Sequence, residues 1–363
     1  MFSNESVKHA EACRYCWMCR HICPVSNVTG MEAWSPRVRG FMVSMVERGF
    51  EYDKTLANDM FMCCLCDACA DDCASGVKPN IFIREGRTEA IVRDIAPAGV
   101  VKALETLNAS GNIYGAQIDP RINDTVENLP EKADVVLFLG QTGNTKSAET
   151  GLAAISLLKK AGVNFTVLKD EPESGILLSE IIGFTGDVQE QAKRTSAAIA
   201  ATGAKVLVAL DPHDACIFLD QYSQWNLLPD VEVQTATYFM AKLIADGKLT
   251  PQKVNLTASY QDPCRLSRGV GEMEPAREIM AALGVELKEM FLNRNLGRCC
   301  GGPVLNSYAP EIVADMVKVR EQDTIRMESG CIITACPACQ YLMSTYGSDV
   351  TFRDLYILLD EQC

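Results

Sequence analysis

Cysteine recurs in one rhythm twice near the start of this 363-residue chain. Cys13, Cys16, Cys19 and Cys23 precede Pro24, and Cys63, Cys66, Cys69 and Cys73 repeat the same spacing of two, two and three intervening residues. This pattern constrains the fold more than any other feature, because three evenly stepped thiols in one tight turn can wrap three sulfurs around one face of a small inorganic core. Two rival uses of cysteine fit less well. Disulfide frameworks belong to small secreted domains. Structural zinc takes two separated C-x-x-C pairs rather than three even steps with a fourth cysteine three residues on. Soft thiolates in this run point to iron–sulfur chemistry.

The run resembles that of bacterial two-cluster ferredoxins, in which the fourth cysteine of each run serves the other cluster. The resemblance implies one [4Fe–4S] cubane held by Cys13, Cys16, Cys19 and Cys73. The second would be held by Cys63, Cys66, Cys69 and Cys23. A tight turn serves three corners of a cube, and the fourth corner points away toward a ligand from elsewhere.

The composition is that of an ordinary folded protein, 48% hydrophobic and 22% charged, long enough for two or three domains. The longest apolar runs, Val135 to Leu139 and Val206 to Leu210, are strand-length, well short of the ~18–20 residues of a membrane span. A formal net charge of −13 excludes a nucleic-acid-binding role and broad adhesion to anionic lipid, but not docking on a membrane protein. Many free thiols and no signal-type leader lead us to expect a cytoplasmic location, with peripheral attachment to the cytoplasmic face of a membrane only through a partner.

The expected fold is α+β and multidomain. Residues 1–95 read as an all-α domain around the cysteine runs. Ser35-Pro36 is a helix start, followed by Val38, Phe41, Met42, Met45 and Val46 at helical spacing, and Pro79 opens a second helix. Residues 96–132 read as a linking segment. From 133 onward, strand-like runs alternate with amphipathic helices, the pattern of an α/β layer fold. Strands are expected at 134–139, 164–168, 205–210, 256–260, 285–290 and 331–335, and helices at 147–161, 188–203, 274–283 and 309–328. The two series resemble each other, Val206 to Pro212 matching Ile332 to Pro337. This suggests an internal duplication, 133–248 and 249–363.

The second half holds Cys264, then Cys299-Cys300-Gly301-Gly302-Pro303, then Cys336-Pro337-Ala338-Cys339. Here the chain resembles the CCG-domain family, which includes the catalytic subunit of heterodisulfide reductase. The family also includes iron–sulfur subunits of glycolate oxidase, anaerobic glycerol-3-phosphate dehydrogenase and lactate-utilisation complexes. The order of two ferredoxin runs and two CCG-type repeats makes the resemblance global. It implies that Cys264, Cys299, Cys300, Cys336 and Cys339 hold a further [4Fe–4S] cluster of non-cubane type. Against a cubane or zinc, five soft ligands favour such a cluster. Arg294 and Arg298 stand near enough in sequence to offset thiolate charge.

In the first repeat the thiolates are replaced by Gly140-Gln141, Glu173-Ser174-Gly175 and Asp211-Pro212-His213-Asp214. No iron–sulfur cluster is expected there. Asp211, His213 and Asp214, with Glu173, could form an oxygen/nitrogen metal site, but in an acidic protein a solvated loop is the simpler expectation. Cys64, Cys216, Cys331 and Cys363 fall outside the ligand patterns. His9 and His21 flank the first run, where they could tune a potential. Tyr15 and Trp17, inside that run, are expected to shield it from water. Gly140 to Asn144 follows a strand but lacks the G-x-G-x-x-G spacing, and no flavin signature is present.

The resemblance implies an iron–sulfur electron-transfer subunit of a flavin-dependent dehydrogenase complex. Its partner would be a flavoprotein dehydrogenase subunit, and its acceptor a quinone, a membrane protein or a thiol/disulfide. Two alternatives stay open. One is a catalytic heterodisulfide or disulfide reductase with the C-terminal cluster as active site, and the other is a non-redox zinc scaffold.

Overall fold

The computed structural model describes residues 2–363 and mixes helix with two small parallel sheets. Up to residue 126 the described chain is helical. Proline at the first turn starts the helices Pro36–Glu47 and Pro79–Val92, where a missing N–H costs nothing. Residues 96–132 hold two helices, Ala98–Ser110 and Pro120–Val126.

The first sheet contains β1 (Val135–Phe138), β2 (Phe165–Thr166), β3 (Val206–Ala209) and β4 (Glu232–Thr235), in the order β2-β1-β3-β4. The second contains β5 (Thr257–Gln261), β6 (Glu286–Leu287), β7 (Cys331–Thr334) and β8 (Thr351–Asp354), in the order β6-β5-β7-β8. All pairings are parallel, with Val135 opposite Val206 and Ser259 opposite Ile332. The sheets thus share one winding. In each, the strand order reverses between the two central strands, and the crevice beyond their carboxyl ends is where open α/β sheets place their chemistry.

Six strands lie where the alternation predicts them. β4 and β8 were not expected, for a physical reason. They are edge strands whose outer residues, Glu232 and Thr351, are exposed, so they lack the apolar run by which a central strand is read.

The sheets are tied together at their helices. Ser147 donates to the Pro337 carbonyl at 2.9 Å, and Thr150 donates to Asp354 at 3.0 Å. The N-terminal helices are fastened to the sheets by buried arginines. Arg87 donates to the carbonyls of Met60 and Cys63 and also to that of Glu180, and Arg84 donates to Ser179. Arg265, after β5, pairs with the Glu180 carboxylate. A separate apolar core, including Ile22, Val25, Met290, Val313 and Leu342, packs around cysteines from both ends of the chain.

Candidate iron–sulfur sites

Each N-terminal cysteine run curls through the same unusual backbone. Tyr15 (φ 53°) and Trp17 (φ 70°) flank Cys16, and Leu65 (φ 48°) and Asp67 (φ 60°) flank Cys66. Four non-glycine residues in left-handed conformation cost about 1–2 kcal/mol each. The curl turns backbone N–H groups inward. Tyr15 N–H donates to Cys13 Sγ at 3.4 Å, and Leu65 N–H donates to Cys63 Sγ at 3.3 Å. Successive inward N–H groups make a concavity suited to an anionic group, as at many iron–sulfur sites.

The runs cross. Cys13, Cys16, Cys19 and Cys73 line one small pocket, together with Cys69. Cys23, Cys63, Cys66 and Cys69 line another, together with Cys64 and otherwise mostly apolar side chains. All seventeen cysteines are free of disulfides. Burial pushes the Cys19 thiol up to about 12 and the Cys69 thiol well above its usual value. Such thiols ionise at neutral pH only beside a positive core, as iron would supply. The donor set, its anion-cradling backbone and its lack of competing disulfides fit an iron–sulfur group.

Tyr15 and Trp17 do not shield this region as expected. They are 44% and 53% exposed, packed against Phe41 and Arg37 at the surface. The same turn in the other run leaves Leu65 2% exposed, so the exposure of Tyr15 and Trp17 reflects the first run's place at the surface and not the turn itself. His9 accepts from Lys78 N–H through Nδ1 at 3.3 Å, while His21 is exposed.

In the second half, Cys264, Cys299, Cys300, Cys336 and Cys339 are brought together and are all buried. Cys264 and Cys299 sulfurs lie 3.7 Å apart, and Cys300 and Cys339 sulfurs 3.1 Å apart, both beyond bonding distance. Cys336 caps the helix Pro337–Tyr346, its Sγ accepting from Cys339 N–H at 3.4 Å. At Gly301 (φ +116°) an added Cβ would lie 2.7 Å from the Val313 side chain, so only glycine lets the chain pass there. Hydrogen bonds from Cys299 and Cys339 hold the Cys300 thiol down at about 6. Five convergent thiols exceed what tetrahedral zinc uses.

The cations near these thiols are not those expected. Arg294 pairs with Glu274 and Glu289, and Arg298 with Asp323. The positive charge comes from Arg265 and Arg268, in the π-helical turn Arg265–Val270 directly after Cys264. Arg268 also donates to the Cys66 carbonyl at 2.6 Å, joining the two cysteine regions. A one-turn bulge of this kind is often found at functional sites, and apolar periodicity does not reveal it.

Cys64, outside both ligand patterns, is buried with its sulfur within 4.8 Å of those of Cys66 and Cys299. Cys216 donates to the Arg265 carbonyl, Cys331 begins β7, and Cys363 is exposed.

The first sheet's counterpart site is closed by carboxylates. Glu171 accepts from the N–H groups of Leu139 and Gly140 and from Asn144, at 2.7–2.8 Å. Glu173 accepts from Gly175 and Leu177 N–H, and Ser174 donates to Asp214 at 2.5 Å. A Cβ at Gly140 (φ +76°) would fall 2.3 Å from Asp214 Oδ2, so a cysteine does not fit there. Burial raises the carboxyl groups of Glu171 and Glu173 to about 8 and about 7.

The expectation of a solvated loop at Asp211 to Asp214 fails. Asp211, His213, Asp214 and Glu173 are all buried, and the loop meets Cys336 of the second repeat rather than solvent. Nor do the four form one cluster. Asp214 turns to Ser174, whereas Asp211 and His213 meet Cys336, their ligating atoms within 4.8 Å of one another.

Comparison with known proteins agrees with this chemistry. Residues 258–344 match the cysteine-rich CCG domain. The chain is 27% identical to a component of the dihydromethanophenazine:CoB–CoM heterodisulfide reductase of Methanosarcina acetivorans, over 83% of this chain and 77% of that one. It is 22% identical to the probable iron–sulfur-binding oxidoreductase FadF of Bacillus subtilis, over 93% of this chain and 57% of that one. It is 24% identical to the EtfAB:quinone oxidoreductase of Syntrophomonas wolfei, over 82% of this chain and 44% of that one. Residues 258–344 thus carry a CCG-type cysteine-rich domain, in a chain similar along most of its length to oxidoreductase proteins, one of them named as iron–sulfur-binding.

Proposed function

We propose that this chain is the electron-transfer subunit of a flavin-dependent dehydrogenase complex, with three iron–sulfur groups set in line. Cys13, Cys16, Cys19 and Cys73 would hold the first, Cys63, Cys66, Cys69 and Cys23 the second, and Cys264, Cys299, Cys300, Cys336 and Cys339 the third, of non-cubane type. The helical ferredoxin domain would span 1–95 and the linking segment 96–132, with CCG-type repeats at 133–248 and 249–363. When bound, the groups supply one-electron transfer, which a flavin partner couples to two-electron oxidation of a small substrate.

One observation carries this reading. The three cysteine sets are contiguous, Cys69 lining both N-terminal cavities and Cys66 meeting Cys64 and Cys299 of the next set. Apolar side chains keep water from the inner sets, and exposed Cys16 leaves the first set open to a partner. No helix among the described residues is long and apolar enough to cross a membrane, so a quinone or membrane acceptor would be reached through another subunit. The relatives named heterodisulfide reductase favour a second reading, in which the C-terminal group reduces a disulfide directly. The carboxylate-filled first repeat, which has no cysteine at the motif positions, weighs against it.

Anaerobically prepared protein should hold about 12 iron atoms, from three four-iron groups. Iron near 8 with zinc making up the difference would remove the third group, and zinc throughout would leave a scaffold. Flavin-free protein should oxidise no hydroxy acid, polyol phosphate or amine with an artificial acceptor. Disulfide reduction by the chain alone, abolished by Cys264→Ser, would establish the second reading instead.

A further inference from the structure

The two sheets meet at their carboxyl ends, and there the first sheet sends one group into the second sheet's site. Asp211 and Cys336 are equivalent residues. Each follows a central strand by two positions and caps a helix that begins with proline, Pro212–Leu219 in one sheet and Pro337–Tyr346 in the other. Asp211 Oδ1 accepts from His213 N–H and also bonds His213 Nδ1, both at 2.9 Å. The His213 side chain is 7% exposed and the Asp211 side chain 5%. With Nδ1 taken by Asp211, Nε2 is the ring nitrogen left to meet a second group, and Cys336, 1% exposed, is the thiol that shares this pocket.

We propose that His213, held by Asp211, donates an imidazole N–H to the Cys336 sulfur and so raises the reduction potential of the iron–sulfur group bound by the second sheet. This rests on the reading that Cys336 is a ligand of such a group. A hydrogen bond to a ligating thiolate draws electron density from the sulfur. That weakens its donation to iron and favours the reduced, more negative state. The carboxylate behind the ring fixes its orientation, the usual task of an outer partner on a histidine. The repeat that lacks the motif cysteines thereby keeps a part in the redox chemistry as a positioning element. Its Asp211-Pro212-His213-Asp214 loop puts His213 where Cys336-Pro337-Ala338-Cys339 has Ala338.

The test is an EPR-monitored redox titration of the full chain, prepared anaerobically. The wild type is compared with His213→Ala, His213→Gln and Asp211→Asn, iron being measured in each. In His213→Ala the C-terminal signal should titrate at a more negative potential, with the two N-terminal signals unmoved. His213→Gln, which retains an N–H donor, should recover part of the shift, and Asp211→Asn should lie between wild type and His213→Ala. Pulsed EPR of the wild type should show a weak ¹⁴N coupling on the C-terminal signal that is lost in His213→Ala, while the coupling from main-chain donors such as Cys339 N–H on Cys336 remains. An unchanged potential in His213→Ala at full iron content overturns the proposal. So does ¹⁴N coupling of the strength of a direct iron–nitrogen bond, which would make His213 a ligand. Absence of any C-terminal signal in the wild type, with iron near 8, overturns the cluster reading itself, a result distinct from either.

Discussion

Cys23→Ser is expected to remove the iron–sulfur group of the other cysteine run while sparing that of its own. Iron should fall by about 4 atoms from about 12. The signal remaining from the N-terminal region should belong to the group at Cys13, Cys16, Cys19 and Cys73. Cys73→Ser should do the reverse. The expectation follows from the cavities, because Cys23 lies with Cys63, Cys66 and Cys69, and Cys73 lies with the first three cysteines. Iron analysis with EPR of the two variants decides it. Loss of the group at Cys13, Cys16 and Cys19 in Cys23→Ser would mean that each run closes on its own group.

Glu180→Ala is expected to destabilise the protein by about 3–5 kcal/mol, the usual cost of leaving one partner of a buried ion pair alone. Glu180 and Arg265 are 4% and 7% exposed, so the guanidinium left behind stays largely buried without its partner. The damage should extend to iron retention, because Arg265, left without its partner, directly follows Cys264 in the chain. Urea unfolding under anaerobic conditions measures the loss. The double variant Glu180→Ala with Arg265→Met should recover part of it, since no unpaired charge then remains buried. A double variant as unstable as the sum of the two single variants would show that the pair is not coupled.

Much of the fold is legible in the sequence where a residue type has only one use. The alternation of apolar runs predicts six of the eight strands: the four central ones, whose buried residues are mostly apolar, and the edge strands β2 and β6, which sit beside Val167-Leu168 and Val285. The edge strands β4 and β8 escape because Glu232, Gln234, Arg353 and Asp354 break the apolar run by which a strand is read. The helices at Pro36 and Pro79 are announced by proline. Charge is less legible. Arg294 and Arg298 stand beside Cys299 in the chain, yet their guanidinium groups turn to nearby carboxylates, while the charges of Arg268 and of Arg265, itself paired with Glu180, act on Cys264. Long flexible side chains find partners in space, and sequence distance does not limit that choice.

By itself the sequence determined which residues have chemistry to offer. Thirteen cysteines stand in two ferredoxin runs and one CCG pattern, and the first repeat has no cysteine at the positions matching that pattern. Tertiary structure alone decided which of those groups meet. It set Cys64 between the second and third cysteine sets, filled the empty repeat with Glu171, Glu173 and Asp214, and buried Asp211 and His213 against Cys336. The reason is that spacing along the chain governs only the groups one turn can gather. Contacts between two sheets depend on how their carboxyl ends face each other, and that is set by packing across more than a hundred residues, which no local pattern records.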